Sequence, residues 1–498
     1  MVQIMPNRSL GIGQEFARAS ALHPDLPAIV AADVSITYKQ LWKVICGFAM
    51  SMQAVGVGPT SCVAVNSRDM IACVASMFAA SLLGAAYVTL DSDIQKAGIV
   101  KPTHFFRSPE IAPIAGLSDH LMGSSWPAAA ERQGNYMPTD FKSELGGNRP
   151  WWFTHTSGTT GTPKYISLTE SEFLNRCIAM GEDFSTGRTK FCSLFPCNTR
   201  VFQVRAISAL LNGCTIIDSV DVEFMMKHGV QILLGSPHTI IDWLSGRTLI
   251  PKIEVAQVTG ARLHNLYIPT LLRSFENLED VYGSTETSKT YKNIFTLKNG
   301  VPWVVGKQLD SELEIVPLED ALDNSVAGPG LVRVRNVYMA SSYLNAAEAS
   351  GRVFKGGWFY SGDIGRFGPN GELQVEGRSD ELINLAGTKV SPLDIEDAIY
   401  RIAGVTAAFV GKDPVHLHPE RLVAMVAISD PDSGDRTANE VLQVCKENLS
   451  SNAFPSLIIA VAALPKTEDG KIMRRECEAL LKHTLTTNTF AKVSDAIK

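Results

Sequence analysis

The sequence predicts an α/β protein with a large N-terminal domain of parallel-rich sheets flanked by helices, followed by a smaller, mobile α+β C-terminal domain. Three observations carry this expectation. Short β-branched runs alternate with helix-length apolar segments, the pattern that builds a parallel sheet covered by helices. The 498 residues are 45% hydrophobic and 19% charged, a globular mixture rather than a disordered one. Near residues 377–392 the stretch GRSDELINLAGTKVSP changes character, which marks a boundary near Asp380 and divides 1–379 from 380–498.

Taken in order, Val63 to Asn66 reads as a strand, Asp69 to Leu83 as a helix and Ala86 to Leu90 as the next strand. Met70 to Leu90 is uncharged and long enough on count alone to cross a bilayer. It is rich in Ala, Ser and Gly, Gly84 interrupts it, and Tyr87, Val88 and Thr89 are strand formers. A buried helix, a turn and a strand are therefore expected, with no transmembrane segment. Residues 91–150, rich in Pro, Gly, Ser and His, read as irregular connection and surface structure.

The alternation resumes after residue 200. Ala206 to Leu211 is helical, Gly213 is a C-cap candidate, and Thr215 to Ile217 is a β-branched run into Asp218, so two similar lobes are expected within the N-terminal domain. Beyond the boundary, Ser391 and Pro392 form an N-cap and first-turn pair opening a helix from Leu393 to Ile402. Strands at Val405 to Val410, Leu422 to Ile428 and Leu457 to Ala462, with a helix near Thr437 to Leu449, complete the small domain.

Composition excludes several functions. Forty-five Lys and Arg against 51 Asp and Glu give −6, which offers no basic field for nucleic acid or anionic lipid. Nine scattered cysteines, odd in number, predict reduced thiols, and the N-terminus lacks the apolar core of a secretory signal, so a cytoplasmic protein is expected. No C-x-x-C or H-E-x-x-H pattern occurs, so any metal should arrive with a substrate.

The most informative segment is WFTHTSGTTGTPKYISL at 152–168. Thr156, Ser157, Thr159, Thr160 and Thr162 are interleaved with Gly158 and Gly161 before Pro163 and Lys164. Glycines let backbone N–H groups approach oxyanions, hydroxyls add donors and the lysine adds charge, which is the composition of a phosphate cradle. It is not a Walker loop, because Pro163 stands five positions after Gly158 and the following YISL is strand-like. On these residues alone, a polar hairpin turn between two strands remains the alternative.

TSGTTGTPK at 156–164 resembles the signature of the adenylate-forming superfamily, which contains acyl-CoA synthetases, firefly luciferase and the adenylation domains of peptide synthetases. Further matches follow in the family's order: ITYKQLW at 36–42, LGAAYVTLD at 83–91, TGARL at 259–263, VYGSTET at 281–287, YSGDIGRF at 360–367, GRSDELINLAGTKVSPLDIE at 377–396 and PKTEDGKIMRRE at 465–476. Together they cover nearly the whole chain.

The resemblance implies an AMP-binding enzyme that uses ATP and Mg²⁺, and it implies roles position by position. Thr156, Ser157, Gly158, Thr159, Thr160, Gly161 and Lys164 would bind the phosphates. Glu286 would help hold Mg²⁺, which favours a hard oxygen ligand with phosphates and waters completing its shell. Thr285 would bond the α-phosphate. Tyr282 would stack on adenine, Gly260 and Ala261 would line its other side, and Asp280 would accept its amino proton. Asp363, joined by Arg378, would accept both ribose hydroxyls. Lys471 would reach in for the first half-reaction, where a cation about 4 Å from developing charge is worth roughly 4 kcal/mol at an effective dielectric near 20.

The implied reaction has two steps. A carboxylate attacks the α-phosphorus of MgATP and pyrophosphate leaves; a thiol then attacks the acyl-adenylate. The thiol belongs to coenzyme A or, alternatively, to the phosphopantetheine arm of a separate acyl carrier protein. The C-terminal domain would swing about Asp380, and Gly387 would border the thiol tunnel. No G-x-S-x-G elbow occurs and His155 is expected to be structural.

Departures from the family pattern bear on the acid. Asn384 stands where many relatives carry lysine, and Asp394 replaces the usual Glu. In SLFPCNTRVFQVR at 193–205, Asn198, Thr199 and Arg200 stand where relatives carry an aromatic or His gate, or an Asp for an ammonium group. An organic acid without an α-amine is therefore expected, with Arg200 or Arg205 a candidate to pair a second acidic or polar group. A non-catalytic descendant is opposed by the intact Lys471, Glu286, Asp363 and loop.

Overall fold

The computed structural model describes residues 10–89, 98–122, 149–156, 164–184, 189–317, 329–385, 388–415, 420–428, 434–448, 454–467 and 472–487. Two parallel-rich sheets form the large N-terminal part. In the six-stranded sheet the order is Ser118–Leu121, His104–Arg107, Cys62–Asn66, Ala86–Thr89, Pro150–His155, Tyr165–Thr169. Every pair in it is parallel except the last, which is the hairpin that carries the Thr/Gly loop.

The nine-stranded sheet has the order Val301–Gln308, Ser288–Lys298, Phe275–Ser284, Ile253–Val258, Ile232–Gly235, Lys190–Ser193, Thr215–Asp218, Pro27–Ala31, Ser35–Thr37. Its inner strands are parallel and its edges antiparallel. One hydrophobic core joins the sheets through the helices Ile12–Leu22, Met70–Leu82, Glu170–Met180 and Arg200–Leu211.

The long uncharged stretch is a core helix and a strand, as expected. Asp69 caps Met70–Leu82 by accepting from the Ala72 N–H, and all of the helix except Ile71 is buried. Its small residues admit a close neighbour. At Gly13 of the crossing helix a Cβ would stand 2.8 Å from Leu82 Cγ and 2.9 Å from the Phe78 carbonyl oxygen, so glycine is required there. No helix among the described residues is long and apolar enough to cross a membrane.

Three expectations are corrected. Residues 91–150 are not irregular throughout, because His104–Arg107 and Ser118–Leu121 are parallel strands. Each is only four residues long, too short for a periodic signal. The helix expected from Ala206 begins at Arg200, with Thr199 accepting from Phe202 N–H; the buried polar residues Gln203 and Arg205 had broken its apolar pattern. Ser391 and Pro392 do open the helix as N-cap and first-turn residue, but the helix ends at Ile399 and not Ile402, and the Ser391 hydroxyl donates to the Glu376 carbonyl at 3.0 Å instead of capping.

A third sheet, of Glu312–Pro317, Gly330–Arg335, Trp358–Phe367, Phe354–Lys355 and Leu373–Arg378, carries Asp363 and Arg378 as register partners. In the C-terminal part, Val405–Lys412, Leu422–Ile428 and Leu457–Val461 form one sheet with apolar clusters on both faces. One cluster is covered by Arg474–Thr487, a helix that the sequence reading did not anticipate.

Candidate active site

The loops that follow several parallel strands converge, as sites in open α/β sheets do, on one cavity of about 1320 Å³. Its base on the hairpin side is fixed by two bonds. The Thr156 N–H donates to the Lys164 carbonyl at 2.8 Å, and the Lys164 N–H approaches Thr156 Oγ1 at 3.4 Å. Thr156 and Lys164 line the cavity. Ser157, Gly158, Thr159, Thr160 and Gly161 lie outside the described residues.

Opposite the hairpin, the strand Phe275–Ser284 ends in Thr285 and Glu286, both buried and both in the cavity wall. Tyr343 donates its hydroxyl to Glu286 Oε1 at 2.6 Å, and the Lys164 ammonium stands 5.2 Å from the centroid of the Tyr343 ring. A cation, an aromatic ring and a carboxylate thus form one chain. The Tyr343 phenol is held protonated by burial and by the carboxylate it serves. Glu286 Oε2 has no hydrogen-bond donor among the described residues.

The main chain at this turn is held by Arg176, which the sequence analysis missed. Its Nη1 donates to the Thr285 carbonyl at 3.0 Å, Nη2 to the Glu286 carbonyl at 2.7 Å and Nε to the Tyr338 carbonyl at 2.9 Å. Burial pushes the guanidinium down to about 10, so it stays cationic at neutral pH. A signal existed: Phe173, Cys177 and Met180 mark the buried face of Glu170–Met180, and Arg176 falls on it at helical spacing.

On the third sheet, Arg378 Nη1 stands 3.6 Å from Asp363 Oδ1. Arg378 also pairs with Asp380 at 2.9 Å. Tyr282 donates its hydroxyl to Asp363 Oδ2 at 2.5 Å and lies 3.0 Å from Ser361 Oγ. Between Ser361 and Asp363, Gly362 has φ +81 with Arg378 Nη2 3.1 Å from where a Cβ would be. Only glycine fits that left-handed turn beneath the guanidinium.

Gly260, Val281 and Gly283 face the cavity, whereas Asp280 and Tyr282 alternate with Val281 along the strand and reach Asn293 and Asp363. Ala261 follows Gly260 without joining the wall among the described residues. Burial raises the Asp280 carboxyl to about 7, opposed by its bond to Asn293 and by Arg262. Thr156, Lys164, Gly260, Thr285, Glu286, Asp363 and Arg378 therefore share one cavity.

Lys471 and Gly387 lie outside the described residues. Arg475, on the helix that begins three residues after Lys471, is in the cavity wall. Arg200 lines the cavity and donates to the His155 carbonyl at 3.2 Å. Arg205 lines it too, fully within the fold, with Nε 3.3 Å from Gln257 Oε1.

The donor set suits one kind of metal. Among the described residues no group of three or more His, Cys, Asp or Glu comes together. A single buried carboxylate with one oxygen already bonded fits magnesium, which takes one or two protein carboxylates and completes its shell with phosphates and water.

The family model "AMP-binding enzyme" matches residues 16–105 and 110–344, and "AMP-binding enzyme C-terminal domain" matches 394–471. The indoleacetate–CoA ligase of Aromatoleum aromaticum is 25% identical over 93% of this chain and 97% of its own length. The 2-succinylbenzoate–CoA ligase of Bacillus cereus is 23% identical over 97% of this chain and 100% of its own. The phenyloxazoline synthase MbtB of Mycobacterium sp. is 24% identical over 96% of this chain, which spans 42% of that protein. Among solved structures, the anthranilate CoA ligase AuaEII in complex with anthranoyl-AMP superposes with a TM-score of 0.83 at 18% identity, covering 98% of this chain and 100% of that one. ATP-bound MatB from Rhodopseudomonas palustris gives 0.79 at 20% identity, covering 95% and 99%. At these identities the structural likenesses establish the fold.

Proposed function

The chain belongs to the AMP-binding enzyme family, and on that premise we propose that it activates a carboxylic acid with ATP as an acyl-adenylate, releases pyrophosphate, and passes the acyl group to the thiol of coenzyme A. The observation that carries this reading is the meeting, in one cavity, of the Lys164–Tyr343–Glu286 chain with the Asp363–Arg378 pair, which Tyr282 supports from behind the wall. One set suits polyphosphate and its metal, the other a vicinal diol.

In the first step a carboxylate oxygen forms a bond to the α-phosphorus as the bond to pyrophosphate breaks. Thr156, Ser157, Gly158, Thr159, Thr160, Gly161 and Lys164 hold the phosphates, and Thr285 bonds the α-phosphate. Glu286 holds Mg²⁺, whose charge when bound offsets that of the phosphates. Asp363 accepts the ribose hydroxyls with Arg378 beside it. Gly260 is assigned to the adenine wall, with Ala261 beside it in sequence and with Asp280 and Tyr282 backing that wall from the other face of their strand, Tyr282 through its bond to Asp363. Lys471 places a cation on the developing charge, a role supported by Arg475 in the same wall. These residues position and neutralise, and no protein nucleophile takes part.

In the second step the thiol sulfur bonds to the acyl carbon, AMP leaves, and the thiol proton passes to solvent. We assign 1–379 to acid and ATP binding and 380–498 to a domain that turns about Asp380, bringing Gly387 to the thiol path. A separate acyl carrier protein is the alternative acceptor, supported by the likeness to a phenyloxazoline synthase. Nine free cysteines support a cytoplasmic setting.

ATP–pyrophosphate exchange over fatty, aryl, dicarboxylic and amino acids tests the first step. Exchange with at least one acid lacking an α-amine is expected, and none with any acid overturns the proposal. Free coenzyme A beside a phosphopantetheinylated carrier protein then decides the acceptor.

A further inference from the structure

The cavity wall near Arg200–Leu211 is backed by a buried network of charged side chains that the steps above do not use. Lys289 Nζ stands 2.6 Å from Asp183 Oδ2, and Lys292 Nζ stands 3.5 Å from Asp183 Oδ1 and 2.7 Å from Glu279 Oε1. Gln257 Nε2 donates to Glu279 Oε2 at 2.9 Å, while Gln257 Oε1 lies 3.3 Å from Arg205 Nε. Asp183 exposes 1% of its side chain and Lys289 3%; Arg205 is 4% exposed and Gln257 fully buried.

Three cations in this network, Arg205, Lys289 and Lys292, face the buried carboxylates Asp183 and Glu279, and the half-exposed Glu182 at its edge is paired with Lys307, which leaves one positive charge in excess. The excess is not at the back of the network. Lys292 is held between both carboxylates, whereas Arg205 and Lys289 are the two members that line the cavity. Burial pushes both of them down, and Arg205 adds to the pressure on Lys289 by repulsion. Arg205 Nη1 has only the Val201 carbonyl, at 3.5 Å, and Nη2 has no acceptor among the described residues. A guanidinium whose fork is unspent suits a planar, two-oxygen anion.

The same cavity wall includes Val201, Val204, Val281 and Met180, an apolar lining that suits a spacer between two anionic ends. We infer that the acid carries a second carboxylate, bound by Arg205 and Lys289, remote from the carboxylate that is adenylated. This rests on the adenylation reading and narrows it to dicarboxylic acids with an apolar linker. Burying an uncompensated cation is unfavourable, and the second carboxylate supplies the missing charge.

The test is ATP–pyrophosphate exchange with matched pairs, each a dicarboxylic acid and its monoamide, across aliphatic and aryl linkers of increasing length. For at least one linker the dicarboxylate should exceed its monoamide in kcat/KM by roughly 10- to 100-fold, the range for hydrogen bonds to charged groups. Arg205→Met should raise KM for that dicarboxylate by a similar factor, erase the advantage over the monoamide, and leave KM for ATP unchanged. Arg205→Lys should restore part of it. The wild-type pairs decide the matter even where a variant folds poorly. Exchange with monocarboxylates and monoamides but no advantage for any dicarboxylate overturns this inference alone. Absence of exchange with every acid overturns the adenylation reading and this one with it.

Discussion

Arg176 holds the main-chain carbonyl of Glu286 at 2.7 Å, so the carboxylate assigned to the metal stands on a turn tied to a buried cation one helix away. The same guanidinium takes the Thr285 and Tyr338 carbonyls, and the Ala340 N–H donates to the Glu286 carbonyl at 2.8 Å. The turn is therefore set before any nucleotide arrives. Arg176→Met takes the guanidinium from three buried carbonyls, of which, among the described residues, only that of Glu286 keeps a donor in the Ala340 N–H, and should lower stability by roughly 2–5 kcal/mol, read by denaturant unfolding. Arg176→Lys keeps the charge but cannot span three acceptors. Where it folds, it should lower kcat with a smaller change in KM for the acid, because the turn it supports is assigned to the phosphates and not to the acid's distal end.

Tyr343→Phe removes one hydroxyl and tests the metal assignment. The bond to Glu286 Oε1 orients the carboxylate so that its other oxygen is available. Loss of a hydrogen bond to a charged group is worth about 1.5–3 kcal/mol. Half-saturation by Mg²⁺, measured from exchange rates at saturating ATP, should rise roughly tenfold or more, while the KM for acid stays within about twofold. An unchanged Mg²⁺ requirement would remove Glu286 from the metal site.

Asp280 gives a pH dependence whose sign is fixed. Burial raises its carboxyl to about 7 in the folded chain from an unfolded value of 3.8. Between those values the folded state binds the extra proton, so its contribution to stability is complete below the unfolded value and declines as pH rises toward 7. Above about 7 the decline from this group ends. Melting temperatures of wild type and Asp280→Asn between pH 4.5 and 8 should show the asparagine variant with the shallower fall. Parallel curves would mean that Asp280 ionises normally in the folded chain.

Much of the site was legible because its residues fall in short, ordered segments. Asp363 and Arg378 stand in separate motifs that the third sheet brings into register, and Thr156 and Lys164 bracket a loop whose composition speaks for itself. What escaped was polar chemistry carried on an apolar helix. Arg176 sits on a face that buries Phe173, Cys177 and Met180, where one charged residue merely weakens a periodic signal, whereas Arg205, on an equally buried helix, is a candidate only through its place in the segment 193–205. Tyr343 reaches Glu286 across 57 positions of sequence, in a segment with no pattern of its own. The network of Asp183, Gln257, Glu279, Lys289 and Lys292 joins strands and a turn that only the tertiary fold brings together.

Lys471 separates the two half-reactions. Its assigned work is to stabilise charge on the α-phosphate as pyrophosphate leaves, and at about 4 Å and an effective dielectric near 20 that is worth roughly 4 kcal/mol, or about three orders of magnitude in rate. Thioester formation from a supplied acyl-adenylate needs no such charge, because the pyrophosphate bond is already broken. Lys471→Ala should therefore reduce ATP–pyrophosphate exchange about a thousandfold and leave thioester formation from the acyl-adenylate within a few fold of wild type, both measured under single-turnover conditions. Equal loss in the two assays would show that the lysine holds the C-terminal part in place instead of serving the phosphate. Undiminished exchange would remove it from the reaction and leave Arg475, in the wall of the same cavity, as the cation to test next.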